Sequence, residues 1–117
     1  MFLCLETPMT LLEGGKRYRL TARVTFHSKT GLIISAPKDF TTDLTSCHSE
    51  GLWSKPAILH DWMYFCGELT RKESDLIFKE AMISVGVGKF QRNKIYYGVR
   101  LFGWKAWNDH RRRNNAK

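Results

Sequence analysis

The chain is poor in proline and cysteine and has no long apolar run, and each shortage removes a class of protein. No stretch is apolar for long enough to cross a bilayer. The run Met1-Phe2-Leu3-Cys4-Leu5 is closed by Glu6 too early for a secretory signal, and no basic segment precedes it. The expectation is therefore a protein made and kept in a cytoplasm, or packaged there. Three cysteines, Cys4, Cys47 and Cys66, form no CxxC pair, which argues against a disulfide framework and for reduced thiols. Cys66 reads as a buried helical thiol. Cys47-His48 offers two adjacent soft ligands with no second pair, a weak zinc pattern. No repeat or low-complexity linker divides the 117 residues, so one small domain is expected over 1–110, with a basic flexible tail at 111–117.

Acidic residues are scarce in one region only. Residues 1–88 hold ten Lys/Arg against ten Asp/Glu, whereas residues 89–117 hold nine Lys/Arg against Asp109 alone, so the whole net charge of +8 is C-terminal. Gln91–Trp107 interleaves Arg92, Lys94, Arg100 and Lys105 with Tyr96, Tyr97, Phe102, Trp104 and Trp107. This composition suits either a core helix with a basic outer face or a surface for phospholipid headgroups or nucleic acid. Arg111, Arg112 and Arg113 are the candidate anion-binding residues.

What is present reads as α+β. Arg17, Arg19, Thr21, Arg23 and Thr25 alternate with Tyr18, Leu20, Ala22, Val24 and Phe26, the period of a half-buried strand. Ser28-Lys29-Thr30-Gly31 is a turn and Leu32–Ser35 a returning strand, so 16–36 is predicted to be a hairpin, with a short edge strand near Phe2–Glu6 and a turn at Glu13-Gly14-Gly15. Pro37 is expected to end the β part, and 37–54 to be a long polar loop. Three helices follow. The first spans about Pro56–Cys66, with Pro in its first turn and Gly67 just past its end. The second starts from the capping box Thr70-Arg71-Lys72-Glu73 and runs to about Val85. The third spans about Phe90–His110, with Ile95, Val99, Phe102 and Ala106 on its apolar face.

The candidate chemistry lies on the first two helices. Their short connection makes them an antiparallel pair. His60 is six residues before Cys66 and Asp75 five after Thr70, so both lie roughly 8–9 Å from the turn and a hydrogen bond between them is predicted. A carboxylate on one ring nitrogen fixes the tautomer and leaves the other nitrogen as a base. Tyr64, one turn beyond His60, can reach Asp75. Asp61 points about 100° away and could serve a hard cation such as calcium. Two readings stay open at this point: a buried polar network that specifies helix packing, or a catalytic centre formed by His60, Asp75 and Tyr64.

Three motifs, Phe40-Thr41-Thr42-Asp43-Leu44-Thr45-Ser46, Ala57-Ile58-Leu59-His60-Asp61-Trp62-Met63-Tyr64, and Arg71, Asp75, Phe78, Ala81 and Met82, resemble a family of small bacteriophage and prophage proteins known only as a domain of unknown function. Tyr96–Gly103 resembles its C-terminal helix. The likeness spans about 16–107; Thr45-Ser46-Cys47-His48 departs from the family's Ser, apolar, Pro pattern. It implies a virion or accessory protein partnered by other phage structural proteins. The helix pair also resembles that of prokaryotic phospholipase A2. That likeness implies His60 as the base that activates water, Asp75 and Tyr64 as its orienting groups, and Asp61 with Asp43 as calcium ligands. The glycine-rich calcium loop and flanking cysteines of the animal enzymes are absent.

Overall fold

The computed structural model describes residues 1–3, 9–11, 17–42 and 54–115. Cys4, the turn Glu13-Gly14-Gly15, Asp43 and Cys47-His48 lie outside these. The fold is α+β: two small antiparallel sheets at the N-terminal end and then helices. The strands are β1 (Met9–Leu11), β2 (Tyr18–Leu20), β3 (Val24–His27), β4 (Ile33–Ala36) and β5 (Thr41–Thr42).

The hairpin is present in its outer part. β3 and β4 pair from Val24↔Ala36 to His27↔Ile33. The turn closes through the Ser28 amide on the Leu32 carbonyl, 2.9 Å, with Gly31 at φ 93°, a conformation glycine adopts without strain. Phe2 adds an isolated bridge to Phe26. The inner part differs from the single long strand expected over 17–26. The chain bends at Thr21-Ala22, and β2 joins a second sheet in the order β1-β2-β5. Pro37 supplies the reason. It has no N–H with which to extend the β3–β4 ladder, so the chain turns through Asp39 (φ 74°), and Leu20 bonds Asp39 and Phe40 instead, both at 2.9 Å. Pro37 therefore redirects the β region, with Thr41-Thr42 returning as β5.

Four helices follow where three were expected: α1 (Ser54–Cys66), α2 (Arg71–Ser84), α3 (Lys89–Phe102) and α4 (Trp104–Asn115). The capping box at α2 is fully formed, with Thr70 accepting from the Glu73 amide and Glu73 accepting from the Thr70 amide, each at 3.1 Å. The core lies between the sheets and α1. Leu20, Val24 and Ala36 pack on Ala57 and Ile58, while Phe26 and Ile34 meet Leu59, Met63, Ile77 and Ala81. Ile95 and Val99 of α3 cover Phe78, Met82 and Val87. Cys66 is half-buried rather than fully enclosed, and its thiol points at the Met63 carbonyl at 3.8 Å.

Gly103 breaks the expected single helix over 90–110. A Cβ there would stand 2.4 Å from the Val99 carbonyl oxygen and 2.7 Å from the Tyr64 hydroxyl. A side chain there would crowd both the last turn of α3 and the facing side of α1, and bending at this point lets α3 pack on α2 while α4 packs on α1. Phe102 and Ala106, expected on the buried face, are consequently exposed, Phe102 by 76%. The helix also continues through Asn115, past the point where a frayed tail was expected. Gly103→Ala should lower stability by about 1–3 kcal/mol through overpacking against Tyr64, read as a reduced urea midpoint with an unchanged slope.

Candidate functional site

The site is organised around one carboxylate. Asp75 lies on the inner face of α2 with its side chain wholly shielded from solvent. Its Oδ1 meets His60 Nε2 at 2.7 Å and accepts the Tyr64 hydroxyl at 2.7 Å. Its Oδ2 accepts from an Arg100 guanidinium nitrogen at 2.8 Å, with an Arg71 nitrogen 3.6 Å away. The structure thus brings together His60, Tyr64 and Asp75, as their spacing predicts, and adds Arg71 and Arg100. Arg71 stands four residues before Asp75 on the same helix, a spacing that could have been read as an ion pair. Arg100 comes from α3, and nothing in the sequence fixes the phase of α3 against α2.

Charge and burial explain the protonation states. Burial acts most strongly on Asp75 and opposes its anion, but the hydrogen bonds from His60, Tyr64 and Arg100 together outweigh it. The carboxyl is held below its ordinary value. Tyr64 moves upward, first through burial and then through the hydrogen bond and charge of Asp75, with Arg71 opposing. Tyr64 is therefore a phenol that donates, and Asp75 is an acceptor-only anion. The shared contact then requires the proton on His60 Nε2, which leaves Nδ1 as the nitrogen able to take another.

His60 is held on its flanks as well as its edge. Its ring stacks on Phe78 with centroids 4.3 Å apart and leans on Tyr64 at 4.3 Å. It lines a cavity of about 390 Å³ walled by Tyr64, Phe78, Ile95, Val99 and Phe102. A larger cavity, about 730 Å³, is lined by Asp61, Phe40, Trp62 and His110 but not by His60 or Asp75.

Of the remaining candidate residues that the structure describes, Asp61 lines both cavities. Asp61 turns away from Asp75 and accepts a hydrogen bond from the Thr42 hydroxyl on β5. Asp43 lies outside the described residues. Among those described, no three His, Cys, Asp or Glu side chains cluster as a metal site. Arg111 is engaged in structure. Its guanidinium crosses Gly67 (φ 65°) and donates to the Tyr64 and Phe65 carbonyls at 2.7 and 2.8 Å, closing the C-terminal end of α1, and stacks on Trp107. Arg112 pairs with Asp109, and Arg113 is exposed.

A family model described as "Protein of unknown function (DUF1353)" matches residues 18–99. The chain belongs to DUF1353. The matched span contains β2 to β5, the His60–Tyr64 turn of α1, and Arg71 and Asp75, and it ends one residue before Arg100. Comparison with curated proteins and with solved structures finds no match. DUF1353 membership supports the expected domain of unknown function and carries neither a phage origin nor an activity.

Asp75→Ala should cost about 3–5 kcal/mol, because it leaves the two guanidiniums facing each other without their counter-ion. The pH dependence follows from the depressed carboxyl. Its contribution is complete above the ordinary unfolded aspartate value, about 4, and fades as pH falls from there through the lower folded value. Urea unfolding of wild type and Asp75→Asn from pH 7 to pH 2 should therefore show a stability gap that narrows only below about pH 4.

Proposed function

We propose that this protein is a small bacteriophage-encoded virion component or accessory factor whose His60–Asp75 pair is a general-base centre for hydrolysis of an ester or amide bond. The phage assignment rests on the ordered motifs from Phe40 to Met82. The catalytic reading rests on one observation: His60 lines a largely apolar cavity while a fully buried carboxylate holds its Nε2–H at 2.7 Å.

In this reading a water molecule gives a proton to His60 Nδ1 as its oxygen bonds to the substrate carbonyl carbon. The tetrahedral adduct then collapses, the bond to the leaving oxygen or nitrogen breaks, and the imidazolium returns its proton to that atom. Asp75 and Tyr64 are positioning residues: Asp75 fixes the tautomer and ring plane, and Tyr64 helps to fix Asp75. The cavity walls favour a substrate with an apolar, acyl-like portion next to the scissile bond.

A second reading is favoured by Arg71 and Arg100. Two cations on one carboxylate are what a packing device needs, and in that case the phage protein is not an enzyme. Assay of the purified chain against a panel of acyl esters and amides separates the two. The first reading predicts turnover that falls by about 10²–10⁴-fold in His60→Ala. For Asp75→Asn it predicts a lower kcat, an altered pH–rate profile and little change in KM. A wild-type chain without turnover, or a His60→Ala variant of equal rate, leaves the packing reading standing. Mass spectrometry of purified particles distinguishes a virion component from an accessory factor.

A further inference from the structure

The third helix has two apolar faces, and the core accounts for only one. Ile95 and Val99 point inward onto Phe78, Met82 and Val87. Phe90, Lys94, Tyr97 and Leu101 follow the spacing i, i+4, i+7, i+11 and so share another face. There Phe90 is 84%, Tyr97 60% and Leu101 66% exposed, and Trp104, at the start of α4, is 56% exposed. A helix that only closes a small core needs no such second stripe, and contiguous exposed apolar surface marks an interaction site.

From this we infer that the outer face of α3, continued by Trp104, docks on an anionic phospholipid surface. The inference goes beyond the hydrolase reading and does not depend on His60 acting as a base. The charge pattern selects the partner. Lys89 and Lys94 are exposed beside or within the stripe, and Lys105, paired with Asp109 at 4.0 Å, is exposed on the following helix, in a region whose nine basic residues stand against one acidic residue. Basic heads beside aromatic and aliphatic side chains are what an interfacial helix presents to headgroups and the upper acyl region, with lysine stems extending so that their charges stay at the headgroups. A second copy of the chain would bring like charge against like charge. Nucleic acid would reward flat rings on which bases stack, but Leu101 has none, and Phe90 and Leu101 are separated by about 16 Å along the axis. A planar interface can take all three side chains at once. No described helix is long and apolar enough to cross a membrane, so the contact is to a surface.

Flotation of the full chain with vesicles tests this. The probes are phosphatidylglycerol-containing vesicles and pure phosphatidylcholine vesicles, each at low salt and at about 0.5 M salt. Binding should be confined to the anionic vesicles, weaken with salt, and fall about tenfold or more in the triple variant Phe90→Ser, Tyr97→Ser, Leu101→Ser, a loss of about 1.4 kcal/mol. A second triple variant, Lys89→Glu, Lys94→Glu, Lys105→Glu, leaves the apolar stripe intact and should lose the anionic preference. Absence of binding to anionic vesicles overturns the proposal, as does equal binding by wild type and both variants. So does single-stranded oligonucleotide binding, or concentration-dependent dimerisation, that disappears with the apolar stripe while vesicle binding persists.

Discussion

A carboxylate without access to water must have its charge met from within the protein, and Asp75 meets that requirement by drawing on three helices. Its partners are His60 and Tyr64 of α1, Arg71 of its own helix and Arg100 of α3. Tyr64 passes the constraint to α4, since its ring lies edge-on to Trp107 at 5.2 Å and its carbonyl is held by Arg111. Removing the carboxylate would leave unmatched charge, whereas its presence fixes how the helices cross. The close approach at Gly103 belongs to the same arrangement: the Tyr64 hydroxyl that serves Asp75 occupies the space a side chain at 103 would need.

The basic residues of the second half do two different kinds of work. Arg71 donates to the Val99 and Arg100 carbonyls at 3.1 and 3.2 Å, and Arg111 closes the end of α1. These guanidiniums sit at helix C-termini, where carbonyl dipoles favour positive charge, and their planar forks suit two acceptors at once. The exposed cations, Lys89, Lys94 and Lys105, are lysines that have no part in the Asp75 network. The net charge of +8 is thus partly structural.

Features set by local chemistry were legible in the sequence. The Thr70–Glu73 box, the Gly31 turn of the hairpin and the level placement of His60 against Asp75 follow from spacing and turn arithmetic. What could not be read were effects of one element on another. Pro37 looked like an end to the β part because its missing N–H is visible, but the pairing of β2 with β5 is decided by what lies beyond the bend. Gly103 carries no positive φ, so its role is steric: a side chain there would meet the Val99 carbonyl of α3 and the Tyr64 hydroxyl of α1. In sequence Arg100 is one more cation of the basic, aromatic C-terminal region, because its inward direction depends on how α3 rolls against α2.

The account stands on an ionised Asp75 that binds the Nε2–H of His60, since both the packing hub and the proposed base require that tautomer. Two-dimensional ¹H–¹⁵N correlation of the imidazole side chains, recorded where His60 is neutral, measures this directly. The account predicts a pyrrole-type Nε2 carrying the proton, a pyridine-type Nδ1, and a downfield Nε2–H resonance that is lost in Asp75→Asn. A neutral His60 protonated at Nδ1, or an Nε2 signal indifferent to Asp75, would contradict it.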